Sequence, residues 1–391
     1  MVEQSGALAV ASRANVQPFQ VMEVLSAAAA RQRVRGDVVS LAAGQPGTPA
    51  PKAVREAAAE ALHRDPLGYT EQLGLPELRK AIAGHYTRTH DLTVESDDVV
   101  VTTGASGAFL LAFLSAFDAG DRVALARPGY PAYRNILSAL GCEVVELPCD
   151  ASTRFQPTTA MLDELDEPVQ GLIVASPANP TGTVLTGSEL SALTSWCDRN
   201  GVQLISDEIY HGIGYDEPLR SAWEFSREAI VVNSFSKFWC MTGWRLGWML
   251  VPPRLLRAVD SLTGNFNLCP PAMSQHGAVA AFTPSAYDEV AEHVRRYETN
   301  RELLLSGLSE LGIDKVAPAD GAFYAYADIG HLTDDSADWC HRLLEDTGVA
   351  VVPGVDFDPE RGRRFVRMSF AGATEEIAEA LARLASWLRQ P

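Results

Sequence analysis

The chain has 391 residues, of which 47% are hydrophobic and 21% charged, so it can bury a sizeable core. Its 32 basic and 50 acidic residues give a formal net charge of −18, and its short basic runs contain no interleaved aromatic residues. This composition argues against disorder and collagen, and the charge argues against nucleic acid as a partner. At roughly 150 residues per domain, the length predicts two domains.

The first residues, 1–5, lack the basic start and apolar stretch that are typical of a signal peptide. The longest apolar helical pattern, 105–117, is too short to span a bilayer of about 30 Å. The six cysteines show no Cys-x-x-Cys pair and no zinc-finger spacing, which indicates reduced thiols and no metal site. We therefore expect a cytoplasmic protein that does not bind a membrane.

Short β-branched runs alternate with helical patterns through the middle of the chain, at 98–102, 122–126, 171–175, 202–206 and 229–233. Continuous apolar strands separated by helices are typical of a mostly parallel sheet covered on both faces. Each run ends in a polar segment or one that contains Gly or Pro. Because ligands bind at the carboxyl ends of the strands in such sheets, we expect the five segments to converge on one site.

The last part of the chain has a different pattern. Long amphipathic helices are predicted at 286–311 and 374–388, and they flank short strands at 322–326 and 365–369. This mixture indicates a smaller α+β domain. The segment that precedes Gly44 is expected to pack with it, since the α/β pattern starts later.

Lys237 is one of four lysines in the chain and follows an apolar strand, whereas the other three have charged or polar neighbours. A lysine in apolar surroundings loses its proton more readily and can attack a carbonyl to form a Schiff base. A lysine that extends from the edge of the core into water is the alternative interpretation.

Two features indicate a phosphate site. Arg245 stands between glycines and tryptophans, where a guanidinium favours a bidentate anionic partner. The segment 104–106 follows a strand and opens an apolar helix, so it presents free backbone N–H groups and the positive end of a helix dipole. Tight-turn chemistry alone also explains most glycine-rich turns of this kind.

Asp207 closes a predicted strand, so its carboxylate should lie at the bottom of the same crevice, where a protonated ring nitrogen would be a suitable partner. Tyr210 follows three residues later, and Asn179 lies between prolines in the segment 176–182. Taken singly, Asn179 is equally consistent with an Asx turn, and Tyr210 with a packed ring whose hydroxyl reaches the surface.

Together these motifs resemble the pyridoxal-phosphate-dependent class I/II aminotransferases of fold type I. The resemblance is carried by Ser-Pro-x-Asn-Pro-Thr-Gly at 176–182, Asp-Glu-x-Tyr at 207–210, Ser-Phe-Ser-Lys at 234–237, Gly-Trp-Arg-Leu-Gly at 243–247, and the segments 41–46 and 366–370. It implies an α/β fold with a large, mostly parallel, doubly wound sheet domain and a smaller α+β domain. The predicted boundaries are 46–284 for the large domain and 1–45 plus 285–391 for the small one.

The resemblance also implies a role for each matching residue. Lys237 would hold pyridoxal 5'-phosphate covalently and move the substrate proton, and Asp207 would pair with the pyridine nitrogen. Asn179 and Tyr210 would hydrogen-bond the phenolic oxygen of the ring, and Tyr130 would stack on its face. The implied phosphate ligands are Ala105, Ser106, Ser234, Ser236 and Arg245.

Two further roles follow from the resemblance. Tyr69 would reach the phosphate of the neighbouring subunit's cofactor, which implies a homodimer. Arg367 would clamp the substrate α-carboxylate, helped by Gly44 and Asn179. The sequence gives no basis for ranking Ser234 against Ser236.

The implied activity is amino transfer from an L-amino acid to a 2-oxo acid by a ping-pong mechanism. No Lys or Arg occurs between Arg257 and Arg295, and the segments 264–271 and 18–22 are largely apolar, so no second cation for a distal carboxylate is evident there. We therefore favour a neutral aliphatic donor such as valine or alanine, with pyruvate as acceptor.

Three alternatives stay open at this point. An aspartate/2-oxoglutarate aminotransferase is the first, with His276 as a conceivable second cation. A fold type I pyridoxal-phosphate-dependent lyase is the second. The third, a non-enzymatic domain of a transcription regulator, is disfavoured because the segment before Gly44 is short and the net charge is negative.

Overall fold

Helices and strands alternate along the chain in the computed structural model, which describes residues 10–216 and 218–389. The α-helices are α1 (Gln20–Arg35), α2 (Lys52–Arg64), α3 (Pro76–His90), α4 (Gly104–Ala116), α5 (Pro131–Leu140), α6 (Thr159–Asp163), α7 (Gly187–Asn200), α8 (Pro253–Phe266), α9 (Ala272–Val279), α10 (Pro284–Glu310), α11 (Ser336–Thr347) and α12 (Thr374–Leu388). The strands are β1 (Val39–Ser40), β2 (Val99–Thr102), β3 (Arg122–Arg127), β4 (Glu143–Pro148), β5 (Gly171–Ala175), β6 (Gln203–Asp207), β7 (Ile230–Ser234), β8 (Gly247–Leu250), β9 (Tyr324–Asp328), β10 (Val349–Ala350), β11 (Val352–Pro353) and β12 (Phe365–Ser369).

A seven-stranded sheet with the order β2-β8-β7-β6-β5-β3-β4 forms the centre of the fold. Strands β3 to β7 pair in parallel, and β8 is antiparallel to both β2 and β7. The predicted mostly parallel sheet is therefore confirmed. Two of its strands were not predicted: β4 is an edge strand with one exposed and one half-buried glutamate, and β8 has no β-branched residue.

Side chains of this sheet point alternately into two hydrophobic cores, one on each face. Leu172, Val174 and Val231 belong to one core, whereas their neighbours Ile173 and Val232 belong to the other. Helices cover both faces of the sheet. The strands therefore consist of continuous apolar residues rather than alternating apolar and polar residues. Burying each such side chain contributes about 1.5–3 kcal/mol, and together they fix the sheet that positions the site.

The C-terminal part forms smaller sheets with a core of its own. Strand β12 lies between β11 and β9 and is antiparallel to both, and helices α10 and α12 pack against each other beside them. The segment before Gly44 joins this part, as expected, because β1 pairs in parallel with β10. The division into domains at 46–284 stays a prediction.

One strand lies two residues later than predicted. The sequence predicted a strand at 322–326, but β9 begins at Tyr324 because Ala322 adopts a left-handed backbone with φ of 57°, which an extended strand cannot contain. The predicted helix at 286–311 runs from Pro284 to Glu310. These differences move the ends of elements without changing their order.

Across residues 10–216 and 218–389, no helix has both the length and the apolar character needed to cross a membrane. The apolar helix α4, which covers most of the predicted 105–117 pattern, has 13 residues. All six cysteines are free; five are buried, and Cys269 is half-buried.

Candidate active site

A cavity of about 420 Å³ lies where the carboxyl ends of the central strands meet the C-terminal part of the chain. Tyr130 follows β3, Asn179 follows β5, Asp207 ends β6 and Lys237 follows β7, and all four line it. Arg367, on β12, closes the cavity from the other side. The structure thus brings together segments that the sequence predicted to converge, since parallel strands end at one edge.

The amine of Lys237 lies inside this cavity and donates a hydrogen bond to the Gly44 carbonyl at 2.6 Å. Burial, and the nearby guanidinium of Arg367, lower the pKa of Lys237 to about 8, whereas the carboxylate of Asp207 acts in the opposite direction. A large part of the amine is therefore neutral at mildly alkaline pH. A neutral amine is the form that attacks a carbonyl.

The carboxylate of Asp207 is buried at the floor of the cavity and accepts two hydrogen bonds. The hydroxyl of Tyr133 donates to Oδ2, and the backbone N–H of Ile209 donates to Oδ1 at 3.0 Å. Burial raises the pKa of Asp207 to about 6, although both hydrogen bonds lower it. A cationic group bound in the cavity would hold this carboxylate in its charged form.

Arg367 is 3% exposed, and no carboxylate in the described part of the chain forms an ion pair with it. Its Nη1 donates to Oδ1 of Asn179 at 2.9 Å and its Nη2 to the carbonyl of Ala42 at 2.9 Å, whereas Nε lacks a partner. The guanidinium carbon lies 4.5 Å from the ring centroid of Tyr324 and 5.0 Å from that of Phe357. A buried guanidinium in this state favours an anionic ligand.

The N-terminus of helix α4 lies at the cavity. Its residues Ala105 and Ser106 line the cavity, and the first backbone N–H groups of a helix have no partner within the helix. Gly104, which starts the helix, has φ of 74°, and a Cβ there would lie 2.8 Å from Nη2 of Arg245. Glycine therefore allows the guanidinium to approach the start of the helix.

Two serines and Arg245 line the cavity together with the N-terminus of α4. Ser234 Oγ lies 2.9 Å from Ser236 Oγ and 3.2 Å from the carbonyl of Leu246, and both serines are buried and line the cavity. Nη1 of Arg245 donates to the Thr242 carbonyl at 2.9 Å. Hydroxyls, free N–H groups and a guanidinium form a donor set that suits a phosphate.

The remaining predicted residues lie in two places. Gly44 and Tyr210 line the cavity, and the Tyr210 hydroxyl lies 2.7 Å from that of Tyr324. A Cβ at Gly44 would lie 2.8 Å from the Tyr324 hydroxyl, so a larger residue would collide with it. Tyr69 is different: it is 84% exposed and does not line the cavity formed by the described residues of its own chain.

The other wall of the cavity is apolar. Phe19, Met22 and Leu25 at the start of α1 line it, and so does Ile136 of α5. Among the described residues, its basic lining consists of Lys237, Arg245 and Arg367, and it includes neither His276 nor the predicted segment 264–271. Within a single chain, the described lining of this cavity therefore contains no additional cation for a substrate with a second carboxylate.

Sequence reasoning missed Tyr133, Tyr324 and Phe357. Tyr133 lies one helical turn after Tyr130, a spacing that places both side chains on one face and could have suggested it. Tyr324 and Phe357 reach the cavity through contacts with distant parts of the chain, for which the local sequence carries no signal.

The fold and the cavity together define a class of protein. At the carboxyl edge of the sheet, the cavity combines a lysine of lowered pKa, a buried carboxylate and a phosphate-type donor set. It also contains a buried arginine that has no carboxylate partner in the described part of the chain. This combination is typical of enzymes whose lysine forms a Schiff base with a phosphorylated aldehyde cofactor and whose substrate carries a carboxylate.

Comparison with known proteins specifies the family. The model of the family "Aminotransferase class I and II" matches residues 36–384, so the chain belongs to this family and is an aminotransferase. A relative from Mycobacterium tuberculosis named valine–pyruvate aminotransferase is 62% identical over 381 residues, which cover 97% of this chain and 98% of the relative.

Solved structures agree with this assignment. The crystal structure of an aminotransferase from Mycobacterium tuberculosis superposes with a TM-score of 0.96 at 61% identity and covers 98% of this chain and 99% of its own. An aspartate aminotransferase from Thermus thermophilus superposes with a TM-score of 0.92 at 31% identity, covering 97% of this chain and 100% of its own. The fold predicted from the sequence is therefore confirmed as that of the aminotransferases.

Proposed function

We propose that this aminotransferase binds pyridoxal 5'-phosphate and transfers the amino group of valine to pyruvate by a ping-pong mechanism. The observation that carries the proposal is the presence in one cavity of the Lys237 amine, with its lowered pKa, and the buried guanidinium of Arg367, which has no carboxylate partner among the described residues. The identity with the relative named valine–pyruvate aminotransferase supports the choice of substrates.

The residues present fit the cofactor at both of its ends. The glycine at 104 allows Arg245 to approach the first turn of α4, which makes a phosphate cradle, and Asp207 supplies an anion for a protonated ring nitrogen. When bound, pyridoxal phosphate supplies an electron sink for the charge left on the substrate Cα after its proton leaves. The phosphate would be held by Ala105, Ser106, Ser234, Ser236 and Arg245.

The other polar residues of the cavity would orient the ring and the substrate. Asn179 and Tyr210 would donate to the phenolic oxygen, and Tyr130 would pack on the face of the ring. Arg367 would bind the substrate α-carboxylate as a bidentate ion pair, with Gly44 and Asn179 beside it.

Lys237 would have two successive roles. Its neutral amine would hold the cofactor, and when substrate has taken its place the free amine would accept the proton from the substrate Cα. A pKa of about 8 suits this task, because a general base is most effective near the pH at which it works.

The apolar wall formed by Phe19, Met22, Leu25 and Ile136 favours a neutral aliphatic side chain over a carboxylate. Valine would bury two methyl groups more than alanine against this wall. Discrimination between such substrates amounts to about 1–3 kcal/mol per methylene, so alanine stays a usable donor.

We further propose that the enzyme is a homodimer in the cytoplasm. Tyr69 is exposed, and so are Phe266 and Leu268 at the end of α8. Thr70 accepts a hydrogen bond from Gln275, which places the Tyr69 loop beside α9. A second copy that covers these side chains would receive Tyr69 at its phosphate site, and the free thiols agree with a reducing compartment.

Steady-state kinetics with valine and pyruvate tests the proposal. Parallel lines in double-reciprocal plots and formation of alanine are expected, with turnover lost in Lys237→Ala and kept in the control Lys315→Ala. Substantial residual amino transfer in Lys237→Ala would contradict the mechanism. A lack of alanine formation from valine and pyruvate, together with release of a β-substituent and ammonia from an amino acid that carries a leaving group at Cβ, would instead indicate a lyase.

A further inference from the structure

The helix that forms the apolar wall has no cap of its own. Helix α1 begins at Gln20, and the preceding Phe19 has no side-chain atom that could accept a hydrogen bond from the first backbone N–H groups. Asp356 takes this role from the far end of the chain. Its Oδ1 accepts from the N–H of Gln20 at 3.2 Å and its Oδ2 from that of Val21 at 3.1 Å.

Asp356 is placed to hold this helix end firmly. It is 5% exposed, and its negative charge lies at the positive end of the helix dipole. Its backbone carbonyl accepts a hydrogen bond from Arg134 of α5 at 3.5 Å, so the same residue also contacts α5. Asp356 therefore links the start of α1 to α5.

The capped turn also lines the cavity, together with Leu25 of the following turn. Phe19, Val21 and Met22 all face it, and the Phe19 ring centroid lies 6.0 Å from that of Tyr130. Movement of this turn would open the apolar wall, whereas the later turns of α1 would be affected less.

Asp356 also adjoins the group proposed to bind the substrate carboxylate. The ring of the next residue, Phe357, lies 5.0 Å from the guanidinium carbon of Arg367, and the Phe357 carbonyl accepts from the N–H of Gly129 at 3.1 Å. The loop that carries Asp356 is thus in contact with α1 on one side and with Arg367 on the other.

We propose that Asp356 is a positioning residue for side-chain selection: by capping α1 it fixes Phe19 and Met22 as a wall for neutral aliphatic side chains, at a set place relative to Arg367. This inference rests on the proposed function for the identity of the substrate. Asp356 itself does not touch the reacting atoms.

Replacing the cap should change substrate preference more than turnover in general. In Asp356→Ala we expect kcat/KM for valine to fall about tenfold and that for alanine by less than about threefold, since the wall would contact mainly the extra methyl groups of valine. Asp356→Asn keeps one acceptor oxygen and should give an intermediate loss. If Asp356→Ala does not fold, the same comparison is made with Asp356→Asn.

A matched control lies at the other end of the same helix. The carboxylate of Asp37 holds α1 through Arg31, with Oδ1 accepting from Nε at 2.8 Å and Oδ2 from Nη2 at 2.6 Å, and neither residue lines the cavity. Asp37→Asn should leave the valine-to-alanine ratio unchanged. Phe19→Ala should lower the ratio, and adding Asp356→Ala to it should lower the ratio little further, because both changes act on one wall.

Amide hydrogen exchange provides a readout that does not depend on activity. Faster exchange confined to residues 20–25 in Asp356→Ala, partly restored in Asp356→Asn, is expected. An unchanged exchange rate, or an unchanged valine-to-alanine ratio with faster exchange, would overturn the inference. If the wild-type enzyme converts neither amino acid, the proposed function fails, and the exchange rates still decide whether Asp356 caps α1.

Discussion

Arg367 Nη1 donates a hydrogen bond at 2.9 Å to the side-chain oxygen of Asn179, a residue 188 positions earlier in the chain. The contact joins strand β12 of the C-terminal part to the loop that follows β5 of the central sheet. It places the group proposed to bind the substrate carboxylate next to one proposed to bind the cofactor. Substrate and cofactor would therefore meet at this pair.

Arg367→Ala should weaken the binding of every amino acid substrate, whatever its side chain. Loss of a buried, charge-assisted hydrogen-bond pair is expected to raise KM for valine and alanine alike by about 10- to 100-fold. The exposed Arg364, which pairs with Asp328, serves as control, and Arg364→Ala should leave KM unchanged. Equal affinity of Arg367→Ala and wild type would remove Arg367 from the site.

Asp207→Asn should lower kcat by about 100-fold or more, because a buried cationic ring nitrogen would lose its charged partner. Tyr133→Phe removes one hydrogen bond to the carboxylate and should have a much smaller effect at pH 8. It should also shift the acid limb of the pH–rate profile to higher pH, since the lost hydrogen bond favours the charged carboxylate. Turnover of Asp207→Asn within tenfold of wild type would contradict the role of Asp207.

The lowered pKa of Lys237 predicts a pH-dependent stability of the cofactor-free protein. Its pKa falls from 10.5 to about 8 on folding, so below pH 8 the folded state bears the cost of a buried charge. Stability should therefore rise, relative to a variant without this amine, as the pH increases from 8 to 10.5. At pH 7, Lys237→Met should be more stable by up to about 3 kcal/mol.

Chemical unfolding at several pH values measures this difference. The exposed Lys52, which pairs with Glu56 of the same helix, provides the control variant Lys52→Met, for which we expect no such trend. A difference between Lys237→Met and wild type that stays constant from pH 7 to pH 10.5 would contradict the lowered pKa.

The proposed homodimer, in which Tyr69 reaches the neighbouring site, predicts complementation between two inactive variants. In a mixed dimer of Lys237→Ala and Tyr69→Ala subunits, the second subunit keeps its lysine and receives an intact tyrosine from the first, so one of the two sites is complete. Mixing should thus restore activity beyond the sum of the parents. Activity that never exceeds that sum would show that Tyr69 does not act across the subunits.

Much of the site could be predicted because its residues follow strands directly. Asp207 ends β6 and Lys237 lies three residues after β7, so the rule that parallel strands share a carboxyl edge places both correctly. Tyr133 and Asp356 could not be found in this way. Their partners lie 74 and 335–336 positions away, and such contacts depend on the packing of the whole chain.

The small errors in the fold have similar causes. Strand β8 was not predicted because Gly-Trp-Met-Leu lacks the β-branched residues on which strand prediction relies, and its neighbours in the sheet stabilise it instead. The start of β9 was misplaced because apolar residues continue through Ala322, and only the backbone conformation there ends the extended run. In both places tertiary contacts outweigh the local pattern.

The most direct test of the account is a single-turnover half-reaction. Purified enzyme with its cofactor is mixed with valine, alanine or aspartate, without an acceptor, and the absorbance change to the pyridoxamine form is followed. We predict rapid conversion by valine, slower conversion by alanine and very slow conversion by aspartate, because the described cavity adds no further cation to Lys237, Arg245 and Arg367. Faster conversion by aspartate than by valine, or no conversion by any of the three, would contradict the account.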